Sequence, residues 1–223
     1  FVVDDHIANT IIVAARMEGS TRGREGLGLF LVDRNAPGLE VERTVMADAH
    51  NAARMEFNAV RVPRVAALGD VGHAWPLLER VLDCGRVAAA AELVGVAEEV
   101  FQRTLAYLKE RSQFGRRIGE FQALQHRIAR VHAQVEIARA AAFKAAQALD
   151  AGSDRAPFFA SVAKAKARAV ATLATQEAVQ MHGGMGITDE LDIGLFLKRA
   201  RVLEELVGDH RFHAARVAEL NGY

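Results

Sequence analysis

Two stretches of the chain combine residue types that can hold a polyanionic ligand. The first is "ERSQFGRR", Glu110 to Arg117, in which Arg111 stands two residues before Gln113 and three before a Phe114–Gly115 pair. An arginine presents a planar fork of donors suited to paired contacts with a diphosphate. Phe114 adds an aromatic face, and Gly115 lets the chain turn out of a helix. The second is "QMHGGMGITDE", Gln180 to Glu190, where Gly183, Gly184 and Gly186 interrupt a helical run. Each glycine weakens a helix by roughly 1 kcal/mol relative to alanine. Such residues either stop the helix or let backbone N–H groups approach anionic oxygens. A third stretch, "LDCGR", spaces Asp83 and Arg86 one helical turn apart, which on its own reads as a helix-surface salt bridge. His182 reads as a hydrogen-bonded structural histidine. No Cys/His cluster has the spacing of a metal site, and no Ser/His/Asp arrangement stands out.

The elements that must position these residues fall into two halves with different periods. The chain has 223 residues, 51% of them hydrophobic, enough for one large or two small domains. Lys plus Arg and Asp plus Glu number 28 each, which argues against a partner held by net positive charge, whether nucleic acid or membrane. Cys84 is the only cysteine, so no intrachain disulfide forms and a reducing, cytoplasmic setting is expected. No apolar run reaches transmembrane length. The chain starts at Phe1, inside a strand-like run, and reads as part of a longer protein. Residues 1–68 alternate: "NTIIVAAR", "LGLFLVDR", "LEVERTV" and "ARMEFNAVRVP" predict an antiparallel sheet with one buried face, with Pro63 and "ALGDVG" marking its end. Residues 69–223 predict helices: Trp75 to Arg111, then a seam at Phe121, Leu124, Ile128, Val131, Val135, Ala138, Ala142, Ala145 and Leu149 that steps by three and four. Asp154 is expected to cap a third helix with Pro157 in its first turn. Two shorter helices follow, near Leu191 to Leu206 and Asp209 to Leu220, with Asp209 as an N-cap. The fold expected is α+β, an antiparallel β-sandwich or barrel portion followed by an up-down helical bundle.

Arg-x-Gln-Phe-Gly at Arg111 to Gly115, Phe-Gln at Phe121 and Gln122, and Gln-x-x-Gly-Gly-x-Gly from Gln180 resemble, in order and spacing, the acyl-CoA dehydrogenase family. The resemblance covers nearly the whole chain, as the second half of that family's middle β domain plus its C-terminal helical domain, without the N-terminal helical domain. It implies FAD as cofactor and α,β-dehydrogenation of an acyl-CoA thioester as the reaction. It implies that Arg111, Gln113, Phe114, Gln180, Gly183 and Gly184 contact the FAD of a neighbouring subunit. It also implies that Asp83 bonds the pantetheine arm of the substrate and that Arg86 lies beneath the active site. The partners implied are acyl-CoA, a homo- or hetero-oligomeric second subunit of the same family, and an electron-transfer acceptor.

The same resemblance exposes two gaps. The family's base is a glutamate in a Glu-Gly step that falls here on Val207–Gly208, or in some members a residue that falls on Gly85. Neither position holds a carboxylate. Glu205, Asp209 and Glu92 are the nearest alternatives, and all three also read as surface or capping charges. The family's Trp-x-(Thr/Ser), which lies against the flavin ring, falls on Phe1-Val2-Val3, so Val3 replaces the hydroxyl; its Thr-Ser-Gln falls on Asp209-His210-Arg211. The groups expected to serve a neighbour's FAD survive and those serving the chain's own flavin do not. This pattern resembles the small, non-catalytic subunit of heteromeric bacterial enzymes of the pimeloyl-CoA dehydrogenase type. Two other readings stay open: a complete enzyme with a displaced base, and a flavin-free helical scaffold.

Overall fold

The computed structural model describes residues 2–19, 23–48 and 50–223. It forms two compact units, Phe1–Val81 and Leu82–Tyr223.

The first unit is antiparallel β structure, as the alternating residues require. Strand β1 (Val2–Val3), β2 (Thr10–Arg16), β3 (Leu27–Asp33), β4 (Leu39–Val45), β5 (Asn51–Phe57) and β6 (Ala67–Gly72) make two three-stranded sheets, in the orders β1-β5-β4 and β2-β3-β6. Ile11, Leu29, Val32, Ala52, Ala53 and Ala74 are buried apolar residues of this unit. The segment "ALGDVG" is not a boundary loop. It is β6, paired to β3 through Leu29↔Leu68 and Phe30↔Ala67. Its two glycines and an aspartate disguise it, because the edge position demands backbone pairing more than side-chain packing. Val2 and Val3 pair with Ala53 and Ala52 and are exposed, while Phe1, the first residue of the expected flavin-facing triplet, lies outside the described residues.

The second unit is a helical bundle. Helix α1 (Trp75–Glu110) runs without interruption to the edge of the Arg111 stretch, followed by a small hairpin, β7 (Ser112–Gln113) and β8 (Arg116–Arg117). Then come α2 (Gln122–Asp150), α3 (Ala156–His182), α4 (Ile193–Glu205) and α5 (His210–Leu220). The seam expected on α2 is the face that packs: Val131, Val135, Ala138, Ala142 and Ala145 are buried, with Ile128 and Leu149 against them. They share one core cluster with Leu93, Ala97 and Phe101 of α1 and with Ala160, Ala163, Ala167 and Ala171 of α3. Alanines at these steps let helix axes approach closely, so the core is built from backbone proximity as much as from large side chains. Asp154 does not cap α3. The N-cap is Arg155, with no side-chain cap bond, and the Ser153 hydroxyl accepts from the Arg155 N–H instead. Pro157 does occupy the first turn, where its missing N–H costs nothing. Asp209 caps α5 as expected, its carboxylate accepting from the Phe212 N–H at 2.8 Å.

The small-residue seam makes a clear prediction. Ala138 is fully buried between helices, and Ala133, on the outer face of the same helix, is exposed. Ala138→Leu is expected to destabilise the bundle by about 1–3 kcal/mol through overpacking, whereas Ala133→Leu is expected to have little effect. Denaturant midpoints of the two variants check this.

Candidate functional site

The hairpin and the glycine stretch are distant in sequence and are brought to one end of the bundle. Helix α1 ends when the Arg111 N–H bonds the Tyr107 carbonyl and the chain turns back at Phe114–Gly115. Phe114 and Gly115 both have positive φ, 55° and 79°. A left-handed pair is what a tight two-residue hairpin needs, and an aromatic residue in that region is uncommon. The Ile118 N–H then bonds the Arg111 carbonyl at 2.9 Å, which closes the hairpin. Ile118 drops into a small cluster with Leu108 and Met181, flanked by Tyr107, Phe121 and Leu124. Met181 belongs to the last turn of α3, so this cluster carries the hairpin to the glycines. Tyr107 completes the link. Its ring lies 4.3 Å from that of His182, and its hydroxyl approaches the His182 carbonyl at 3.5 Å. His182 itself is buried, with Nδ1 bonded to the Ala178 carbonyl at 2.8 Å, a structural role.

Around this joint the expected cofactor residues all face outward. Arg111, Gln113, Phe114, Gln180, Gly183 and Gly184 are exposed, Phe114 at 88%. Among the described residues Arg111 has no ion-pair partner. The three glycines separate by cause. Gly183 ends α3 with φ 61°, a conformation that favours glycine. Gly186 lies against α3: a Cβ there would come within 2.4 Å of the Val179 carbonyl oxygen. Gly184 has neither constraint, since its φ is unexceptional and a Cβ would meet nothing within 4 Å. Nothing among the described residues asks for glycine at 184.

Asp83 and Arg86 lie elsewhere in the same unit, in a buried polar cluster. Both Asp83 oxygens are engaged: Oδ1 accepts from Arg86 Nη1 and Arg216 Nη1, each at 2.7 Å, and Oδ2 from Arg216 Nη2 at 3.0 Å. Arg86 also donates from Nε to the Val207 carbonyl at 3.3 Å. The pair expected at a helix surface is therefore internal, because α5 delivers a second guanidinium that sequence spacing does not reveal. Lys164, also buried, donates to the carbonyls of Glu204 and Gly208 at 3.2 and 3.3 Å. Burial, and secondarily Arg168, pulls its ammonium down to about 8. Lys164 had a legible signal: it sits among Ala160, Ala163, Ala167 and Ala171 on the stripe of α3 that faces the core. Tyr107, one turn before Arg111, had none.

The loop held by Arg86 and Lys164 is the one that carries the first of the two positions lacking a base. Val207 has φ 55° and Gly208 φ 117°. A β-branched residue in the left-handed region is strained by of order 1–3 kcal/mol and persists only where its surroundings dictate it. The second position lies beside the first: a Cβ on Gly85 would stand 3.5 Å from Val207 Cγ1. The two candidate base positions, more than a hundred residues apart, converge on one point, and that point is apolar. Two of the three neighbouring carboxylates are committed elsewhere. Asp209 is spent as the α5 cap, and the Phe212 N–H holds it below the usual carboxylate range. Glu92 pairs with Arg199 at 2.5 and 3.0 Å. Glu205 is an exposed residue in the last turn of α4. Beneath the loop His213 is buried; desolvation first, then Lys164, Arg86 and Arg216, pushes it down to about 4, so it is neutral near pH 7. Among the described residues no group of three or more His, Cys, Asp or Glu is arranged to hold a metal ion, and no helix is long and apolar enough to cross a membrane.

Comparison with known proteins bears on the family and the fold. Residues 72–220 match the profile of the acyl-CoA dehydrogenase C-terminal domain. The chain is 37% identical over 185 residues to the short/branched chain specific acyl-CoA dehydrogenase of Rattus norvegicus mitochondria, covering 81% of the chain and 42% of that protein. It is 32% identical over 209 residues to a short-chain specific acyl-CoA dehydrogenase of Clostridium acetobutylicum, covering 92% and 54%. Among solved structures, butyryl-CoA dehydrogenase from Megasphaera elsdenii superposes with a TM-score of 0.92 at 27% identity, over 98% of the chain and 57% of that protein. The chain thus spans about half the length of the curated relatives it matches.

Two outcomes are expected from these contacts. Gly186→Ala should destabilise the second unit by about 1–3 kcal/mol through overpacking against α3, while Gly184→Ala should leave the melting temperature unchanged. Thermal unfolding of the two variants beside wild type checks this. The second concerns pH. His213 falls from an ordinary 6.5 to about 4 on folding, so the unfolded chain takes up its proton first. Stability is full above pH 6.5 and is lost as pH falls from 6.5 to 4, by roughly 3 kcal/mol at the end of that window. His213→Leu is expected to flatten this limb of the stability–pH curve, as measured by denaturation at pH 7, 5.5 and 4.5.

Proposed function

Since the chain belongs to the acyl-CoA dehydrogenase family, we propose that it is a flavin-clamping subunit of an FAD-dependent assembly that desaturates an acyl-CoA at the α,β position. The observation that carries this reading is the asymmetry between two ends of one unit. At one end Arg111, Gln113, Phe114, Gln180, Gly183 and Gly184 face outward on a rigid joint, ready for a ligand. At the other, both base positions meet as Gly85 and Val207 with no carboxylate between them. The donor set fits FAD: an exposed guanidinium fork, an aromatic face, and backbone at Gly184, where a Cβ would meet nothing within 4 Å. FAD when bound supplies the hydride acceptor. This chain's residues would orient its diphosphate and adenosine end and would exclude water from it.

Asp83 and Arg86, expected as substrate contacts, enter this reading as positioning residues instead, because Asp83 is buried and both its oxygens are engaged by Arg86 and Arg216. Their cluster fixes the Val207 carbonyl and hence the path of the loop facing Gly85. The acyl-CoA, a second family subunit that supplies the base, and an electron-transfer acceptor are the partners proposed. A cytoplasmic location is proposed from the single cysteine and its redox implication. The reading of a complete enzyme with a displaced base finds no support in Asp209 or Glu92, both already committed. The flavin-free scaffold reading does not account for an arginine without an ion-pair partner among the described residues and an unconstrained glycine at the same end of the bundle.

The chain assembled only with copies of itself is expected to turn over acyl-CoA negligibly, since loss of a general base typically costs 10² to 10⁴-fold. Activity should appear on mixing with a family subunit that carries the Glu-Gly step. Turnover by the homogeneous protein with a dye acceptor would refute the division of labour. In the assembled flavoprotein Arg111→Lys should weaken FAD binding about ten- to a hundredfold, because lysine keeps the charge and loses the fork. Flavin titration against wild type, with circular dichroism as the folding control, checks it.

A further inference from the structure

We infer that Arg116 is a second guanidinium of the diphosphate clamp, on the same face of the hairpin as Arg111; this rests on the flavin-clamping reading and extends it to a residue that the sequence motif does not include. The register of the hairpin carries the inference. Gln113 pairs with Arg116 and Ser112 with Arg117, and the bond from the Ile118 N–H to the Arg111 carbonyl continues the ladder by one step. Residues opposite one another across an antiparallel pair share a face, and successive residues alternate. Arg111 and Ile118 therefore share a face with Gln113 and Arg116, while Ser112 and Arg117 take the other. Ile118 identifies the first face: it is buried against Leu108 and Met181, so this face is turned toward the end of α3, where Gln180 and Gly183 stand.

Arg116 is also held in place. Its guanidinium carbon lies 4.1 Å from the centroid of the Phe121 ring, and Phe114 meets the same ring edge-on with centroids 6.2 Å apart. Stacking fixes the guanidinium plane and leaves its N–H edges for hydrogen bonds. Much of the entropy of ordering a long side chain is thus lost before a ligand arrives. Arg111, Arg116 and Arg117 are all exposed. Among the described residues none of the three is ion-paired, although Glu110 and Glu120 stand at the base of the hairpin. A chain with 28 cationic and 28 anionic side chains leaves three guanidiniums uncompensated on one hairpin of seven residues. Two of them share a face with the glycine corner. A diphosphate with two adjacent anionic centres matches such a pair better than it matches one arginine.

Arg117 provides an internal control: the same charge on the same hairpin, on the opposite face. The experiment measures FAD affinity of the assembled flavoprotein for Arg116→Gln and Arg117→Gln beside wild type and Arg111→Lys. Both new variants remove one surface charge and leave Ile118 and the core untouched, so folding is preserved and is checked by circular dichroism. The expected result is a loss of roughly tenfold or more for Arg116→Gln, the size of one charge-assisted hydrogen bond, and a change within about twofold for Arg117→Gln. Arg116→Lys should fall between Arg116→Gln and wild type, because it keeps charge without the stacked fork. Equal losses at 116 and 117 would overturn the proposal in favour of a general charge effect. An intact affinity in Arg116→Gln alongside a weakened Arg111→Lys would overturn it while leaving the flavin clamp standing. Intact affinity in both Arg111→Lys and Arg116→Gln would instead overturn the clamp itself.

Discussion

The helical unit depends on one buried carboxylate. Asp83 accepts from Arg86 on its own helix and from Arg216 on α5, and Arg216 reaches on to the Ser161 hydroxyl and the Pro157 carbonyl of α3. Three helices are thereby tied through a single anion. A buried ion pair is weak evidence for net stability, since desolvation offsets most of the attraction. Its contribution here is geometric. The cations around it have few orientations that satisfy them, and one of those hands an N–H to the Val207 carbonyl. Lys164 then secures the same loop from α3 through two further carbonyls. The loop can hold a valine in the left-handed region because these bonds leave it no alternative path.

That rigidity does not depend on the side chains at the two expected base positions. Position 207 is determined by its backbone partners and by the α5 cap at Asp209, none of which involves the side chain at 207. Gly85 opposite is equally free of polar demands. Exchanging the side chains at these two points for apolar or absent ones leaves every bond of the cluster intact.

The corner that carries Arg111 and the glycines is held together differently. It is joined by apolar contact and ring stacking, Leu108, Ile118 and Met181 with Tyr107 over His182, and carries its polar groups on the outside. A joint of this kind holds donors in fixed relation without using any of them internally. The strained φ of Phe114 fits the same logic, since a tight hairpin turn presents residues 111 and 116 on one surface.

The sequence by itself determined the periodicities, and with them most of the elements. The four strand runs before residue 58, the α2 seam, the Asp209 cap and the two ligand-type motifs are local patterns, set by side-chain spacing and backbone chemistry within a few residues. It also determined the family, because two ordered motifs at fixed spacing are a local record of a shared fold. Where local pattern was weak the reading failed: β6 is an edge strand of glycines, and Asp154 lost the cap position to the geometry of the turn before it. Only the tertiary structure decided which distant groups meet. Nothing in "LDCGR" indicates that Asp83 is buried under Arg216, nor that Gly85 faces Val207, nor that Tyr107 binds the hairpin to the glycines through His182. Such contacts depend on helix crossing and register between segments far apart in the chain, and the energy that selects them is spread over the whole alanine seam.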